Sequence, residues 1–138
     1  MLDSTRRALV ARLAQFDRVV ELGIGRRVTL ARALAAQGVN VTATDIRERS
    51  VPRGVTFVRD DAIAPDHDVY ADAGAIYALN WPPELHRPAL DIAEAVDATL
   101  LFTTLGGDQP TVPVRRVSVP GETIYFARER PEHSPSSP

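Results

Sequence analysis

The chain has 138 residues, 44% of them apolar and 25% charged, with a formal net charge of −2. Such values describe one globular core rather than a disordered or fibrous polymer, and the length leaves nothing for a separate substrate domain. Cysteine is absent and all 16 basic residues are arginine, which excludes disulfides, thiolate metal sites, cysteine nucleophiles and lysine Schiff bases.

Leu9, Val10, Leu13 and Phe16 recur at helical spacing behind Asp3 or Ser4, either of which can cap exposed amides, so residues 4–15 read as an amphipathic helix. Arg18 to Leu22 is a short apolar run that stops at Gly23-Ile24-Gly25, the pattern of a buried strand entering a tight turn. A second helix follows from Val28 to Gln37, with Gly38 as its left-handed stop. Val39 to Thr44 forms the next strand and ends at Asp45, which completes a βαβ unit.

The alternation continues with a strand at Val55–Val58 ending at Arg59-Asp60-Asp61, and another at Ala75–Leu79 ending at Asn80. Pro82 and Pro83 break that strand, and Pro83 opens a helix whose apolar side carries Leu90, Ile92, Ala93 and Val96. A fifth strand spans Ala98–Thr103. Val114–Val119 and Thr123–Ala127 then flank Pro120-Gly121 as a closing hairpin. Residues 1–130 thus read as one Rossmann-like α/β domain, with five helix-linked strands in an open, mostly parallel sheet and an antiparallel C-terminal hairpin. The proline- and serine-rich stretch from Pro131 to Pro138 reads as a disordered tail.

Ligands of such sheets bind beyond the carboxyl ends of the strands, where Glu21, Asp45, Asp61 and Asn80 should converge. Gly23 and Gly25 let backbone approach a ligand where a Cβ would collide. A dinucleotide turn would carry a third glycine at position 28, and valine stands there, which argues against a pyrophosphate-bearing cofactor such as NAD. A carboxylate before the turn, Glu21, suits a cationic amino group instead. Asp45, twenty residues after Gly25, suits the two hydroxyls of a ribose.

The segment Val19-Val20-Glu21-Leu22-Gly23-Ile24-Gly25 resembles the first motif of class I S-adenosylmethionine-dependent methyltransferases. That resemblance implies S-adenosylmethionine as cofactor. Glu21, Gly23 and Gly25 would lie at its methionine portion, Asp45 at its ribose, and Asp61 with Ala62 at its adenine. A closer resemblance runs from Val19 to about Phe126, carried by Glu21–Arg26, Val41–Ile46 and Ile76–Leu85, to the archaeal Uncharacterised Protein Family 0146. That group is similar to methyltransferases in fold and has no established reaction.

Amino-methyltransferases place an Asn or Asp, two prolines and an aromatic after the fourth strand to hold the target amine. Here the order is Asn80-Trp81-Pro82-Pro83, which makes Asn80, Trp81 and Pro82 the candidate catalytic residues and Trp81 either a stacking platform or a loop anchor. Glu84, Asp60 and His86 are candidate proton acceptors, and Tyr77 and Leu79 read as core. The competing reading is a non-catalytic nucleoside-binding or scaffold module, supported by the missing third glycine, the reordered fourth motif and the small size.

The three histidines lie far apart and suggest no metal site. No apolar run approaches the ~20 residues of a membrane span, and no signal sequence is evident, so the cytoplasm is the default location. Arginines are dense in the first third (Arg6, Arg7, Arg12, Arg18, Arg26, Arg27, Arg32), so RNA or a protein is a candidate substrate beside the small-molecule cofactor.

Overall fold

The computed structural model describes residues 1–130, and the tail expected to be disordered, Pro131 to Pro138, lies outside the described residues. In chain order the elements are α1 (Asp3–Leu13), β1 (Arg18–Leu22), α2 (Thr29–Ala36), β2 (Asn40–Asp45), β3 (Val55–Arg59), β4 (Ala75–Ala78), α3 (His86–Val96), β5 (Thr99–Phe102), β6 (Arg115–Val119) and β7 (Glu122–Arg128). The strands form one sheet in the order β3-β2-β1-β4-β5-β7-β6. The first five pair in parallel, and β7 and β6 run antiparallel to their neighbours. This is the open, mostly parallel Rossmann-like sheet with an antiparallel hairpin that the alternation predicts.

Alternate residues of each strand feed opposite cores. Val19 of β1 and Tyr77 of β4 pack with Leu9 and Leu13 of α1 and with Leu30 and Leu34 of α2. Val20, Leu22 and Ile76 pack on the other face with Leu90, Ile92 and Ala93 of α3 and with Phe102. Apolar residues on both faces of β1, β4 and β5 follow from this sandwiching, because strands covered on two sides have no solvent face to keep polar.

Some local expectations are corrected. β2–β3 and β3–β4 are not linked by α-helices: the first link is an irregular loop and the second holds only a 3-10 turn at His67–Val69, capped by Asp66. Those stretches contain Pro52 and Pro65 and lack a helical apolar stripe, so nothing would bury a longer helix there. Neither Asp3 nor Ser4 caps α1: Leu2 is at the cap position, and Asp3 lies in the first turn. Pro83 opens a 3-10 turn, Pro83–Leu85, that leads into α3 at His86.

The chain builds outward through β1, β2 and β3, then returns to the other side of β1 with β4 and β5. Strand order therefore reverses between β1 and β4, and loops from the two directions diverge there to leave a crevice. No helix among the described residues is long and apolar enough to cross a membrane.

Candidate functional site

A cavity of about 260 Å³ opens at this switch point. Gly23 forms its floor beyond β1. Asp45 and Ile46 come from the end of β2, Asp60 and Asp61 from the end of β3, and Asn80, Trp81 and Pro82 from the end of β4. The structure thus brings together, of the residues singled out by sequence, Gly23, Asp45, Asp60, Asp61, Ala62, Asn80, Trp81 and Pro82. Glu21 and Gly25 are not part of the wall.

Asp45 organises the turn. Its Oδ2 accepts the Gly25 N–H at 2.9 Å and its Oδ1 accepts the Arg47 N–H at 3.0 Å. Arg49 Nε stands 3.4 Å from Oδ2 as an ion-pair partner without a directed hydrogen bond. Asp45 is only 8% exposed, yet each of its oxygens keeps acceptor capacity toward the cavity. The Gly25 backbone can offer its amide in this way because it turns through φ +56, the left-handed region that glycine enters freely.

On the β3 side, Asp60 accepts from the Tyr70 hydroxyl at 2.5 Å and from the Asp66 N–H at 3.0 Å. Burial and the adjoining Asp60 carboxylate push the Tyr70 hydroxyl well above its usual range, so Tyr70 stays a donor. Asp61 is exposed and caps its own turn by accepting the Ile63 N–H at 2.9 Å.

The β4 side is held by a chain of hydrogen bonds that sequence reasoning missed. Asn80 sits at φ +51, a conformation asparagine tolerates, and its N–H donates to Thr103 Oγ1 at 2.9 Å. The Trp81 N–H donates to the Thr103 carbonyl at 2.8 Å and its indole Nε1 to the Leu85 carbonyl at 2.8 Å. His86, fully buried, accepts the Thr111 N–H on Nδ1 at 3.1 Å, so its proton is on Nε2, which donates to the Trp81 carbonyl at 2.9 Å. Both ring nitrogens are therefore engaged in holding the loop, and His86 is not available as a proton acceptor. Glu84 is exposed and stands outside the cavity wall. Of the three candidate acceptors, only Asp60 faces the cavity.

Trp81 anchors its loop through these hydrogen bonds at 7% exposure, and it also lines the cavity. A Cβ on Gly23 would come within 2.8 Å of Trp81 Cζ3. The bare Gly23 backbone thus accommodates the indole.

Glu21 departs furthest from its expected place. It alternates with Leu22 and points toward the α1/α2 core, 1% exposed, where it accepts the Tyr77 hydroxyl at 2.7 Å. Burial raises its carboxyl to about 8, only partly offset by the Tyr77 hydrogen bond. At neutral pH it is predominantly protonated, so it has neither the access nor the charge to attract a cationic amino group. Tyr77 is core, as its mid-strand position predicts, whereas Leu79 is half-buried and lines the cavity.

Among the described residues no group of three or more His, Asp or Glu is arranged to hold a metal ion.

The model of the Uncharacterised protein family (UPF0146) matches residues 4–130. The chain belongs to this family. A UPF0146 protein of Halobacterium salinarum is 49% identical over 122 residues, covering 88% of this chain and 95% of the relative. Among solved structures, an RNA methyltransferase from Salinibacter ruber in complex with S-adenosyl-L-homocysteine superposes with a TM-score of 0.67 at 16% identity, covering 98% of this chain and 95% of that one. Magnesium protoporphyrin IX methyltransferase from Synechocystis, with bound S-adenosylmethionine, gives 0.64 at 16% identity, covering 91% and 78%. At these identities the likeness establishes a methyltransferase-like fold.

Proposed function

We propose that this protein binds S-adenosylmethionine in the switch-point crevice and is methyltransferase-like in its site as well as its fold. The supporting observation is the opposition, across one cavity, of Asp45 and Asp61 from the β2 and β3 ends to Asn80, Trp81 and Pro82 from the β4 end. The ribose and adenine end fits the residues present. Asp45 is buried, fixed by two backbone amides and able to accept two hydroxyl hydrogens, while Ile46 and Ala62 offer apolar contacts to a flat base. Asp61 would lie at the edge of that base. The methionine end fits less well, since the Trp81 ring packs close beside Gly23 and Glu21 is sealed beneath the turn.

When bound, the cofactor supplies an electrophilic methyl group on a sulfonium. The chain's own contribution is then proximity and exclusion of water. Asn80 and the backbone beside Pro82 would orient an acceptor at the crevice mouth, and Asp60, the one candidate proton acceptor that lines the cavity, would be the group to take a proton. The acceptor is a small molecule or a group on RNA or protein.

The second reading, a non-catalytic nucleoside-binding module, is favoured by one observation: the Trp81 ring packs close beside Gly23, where the methionine portion would lie, while Asp45 keeps acceptor capacity for a ribose. Calorimetric titration with S-adenosylmethionine, S-adenosylhomocysteine and adenosine tests both. Binding of all three, about 100-fold weaker in Asp45→Asn, is the expected result, because two hydrogen bonds to a charged group are at stake. Adenosine binding as tightly as the two larger ligands selects the second reading, and no binding by any of them overturns both.

A further inference from the structure

The turn that shapes the crevice also carries charge away from it. Arg26 and Arg27 follow Gly25 and are exposed. With Arg6 of α1 they ring a second depression of about 410 Å³, closed by Met1, Thr29 and Leu79. No carboxylate lines it. Arg6 pairs with Asp3 at 2.8 Å, but Arg26 and Arg27 make no ion pair and no side-chain hydrogen bond among the described residues. The first turn of α2, which begins here, contains no acidic residue to offset them.

Both guanidinium-bearing residues line one concave surface, where like charges add their potentials toward a counter-ion. Most other arginines of this small, net-negative protein are accounted for locally: Arg18 donates to the Val69 and Ala71 carbonyls, Arg115 pairs with Glu129, and Arg128 pairs with Asp97. Arg26 and Arg27, which line one depression together, are available to an external anion. The chemistry that suits them is a group with several charged oxygens in a plane or tetrahedron, because each guanidinium offers a rigid fork of donors. A phosphate can engage both forks at once.

We propose that the depression ringed by Arg6, Arg26 and Arg27 is a phosphate-binding site, and that it takes the phosphate of the acceptor molecule. The second part rests on the crevice reading above: Leu79 lines both depressions, so the two adjoin, and an acceptor whose phosphate lies in one would have to extend past Leu79 to reach Asn80 in the other. The phosphate belongs either to a small phosphorylated molecule or to a nucleic-acid backbone. A third source of negative charge, the carboxylate of bound S-adenosylmethionine, is the alternative the experiment must separate.

The test uses the full chain and three probes, with amide chemical shifts as the readout. Inorganic pyrophosphate at low ionic strength is expected to move Arg27, Val28 and Thr29 saturably, with affinity falling as salt is added. In Arg26→Ala/Arg27→Ala, affinity falls by about tenfold or more, while the melting temperature and adenosine binding stay unchanged, since both side chains are exposed and outside the crevice. Binding of hexauridylate much tighter than pyrophosphate, with a steeper salt dependence, assigns the phosphate to a nucleic-acid backbone; equal binding assigns it to a small molecule. The proposal is overturned if pyrophosphate produces no saturable shift. It is likewise overturned if the double variant weakens S-adenosylmethionine but not pyrophosphate, because the arginines then serve the methionine carboxylate. Loss of the crevice reading leaves the pyrophosphate result standing by itself, so the two failures are distinguishable.

Discussion

The crevice at the β1–β4 switch and the depression beside the start of α2 share Leu79 and are built in opposite ways. The crevice carries three carboxylates, Asp45, Asp60 and Asp61, each already accepting a hydrogen bond from its own protein. Its aromatic wall is likewise tied down, through Trp81 Nε1 and its backbone. The basic depression carries Arg26 and Arg27 on long, exposed side chains that have no ion-pair partner among the described residues. Groups held in advance lose little freedom when a ligand arrives, whereas free arginines must be ordered by it. The crevice is therefore suited to shape recognition and the depression to charge recognition.

The largest effect expected concerns the carboxylate that was excluded from the crevice. Glu21 goes from an ordinary value of 4.5 to about 8 on burial, so between those limits the unfolded chain releases a proton that the folded chain keeps. Stability contributed by the protonated form is fully present below pH 4.5 and is lost as pH rises toward 8. Glu21→Gln should remove that loss, leaving stability near pH 4 about unchanged and raising it at pH 8 by on the order of a few kcal/mol. Thermal melts across this range check it. A difference independent of pH would mean that Glu21 is ionised and adds to the negative charge of the crevice after all.

A smaller effect tests the floor. Gly23→Ala puts a Cβ 2.8 Å from Trp81 Cζ3 at a backbone φ of +64, and should cost about 2 kcal/mol. The chain has a single tryptophan, so urea unfolding followed by fluorescence reads both the stability and the displaced indole. Unaltered emission and stability would show that Trp81 does not rest on Gly23. The smallest effect tests the wall: Trp81→Phe loses the hydrogen bond to the Leu85 carbonyl, worth about 1 kcal/mol, and shortens the ring over the turn. Calorimetry should then show S-adenosylmethionine gaining affinity relative to adenosine. An unchanged ratio would mean that the indole does not restrict the methionine end.

Much of this was legible in the chain itself. Apolar runs of strand length at Arg18–Leu22, Val55–Val58 and Ala75–Leu79, each ending in glycine, acid or asparagine, predicted both the parallel strands and the rim they present. Asp45, after Val39–Thr44, and Asp61 are legible in the same way because a strand end is a local signal. The sequence does not distinguish Asp60 from Glu84 and His86, since proximity along the chain says nothing about which of them faces the cavity. The support of the β4 loop had no signal at all: Thr103 accepts from Asn80 across 23 residues of chain and Thr111 donates to His86 across 25, and the Thr103 contact exists only when β5 lies beside β4.

By itself, then, the sequence determined the order of the elements, the mixed sheet and the acidic strand ends, because periodicity and turn residues act within a few positions of the chain. Only the tertiary structure decided which way each side chain was spent. Glu21 belongs to Tyr77 and the core because strand alternation sends it beneath the turn. Gly23 makes room for Trp81 because β4 returns beside β1. Arg6 joins Arg26 and Arg27 because α1 packs beside α2, a meeting of distant residues fixed by the burial of Leu9, Leu13, Leu30 and Leu34 rather than by the arginines themselves.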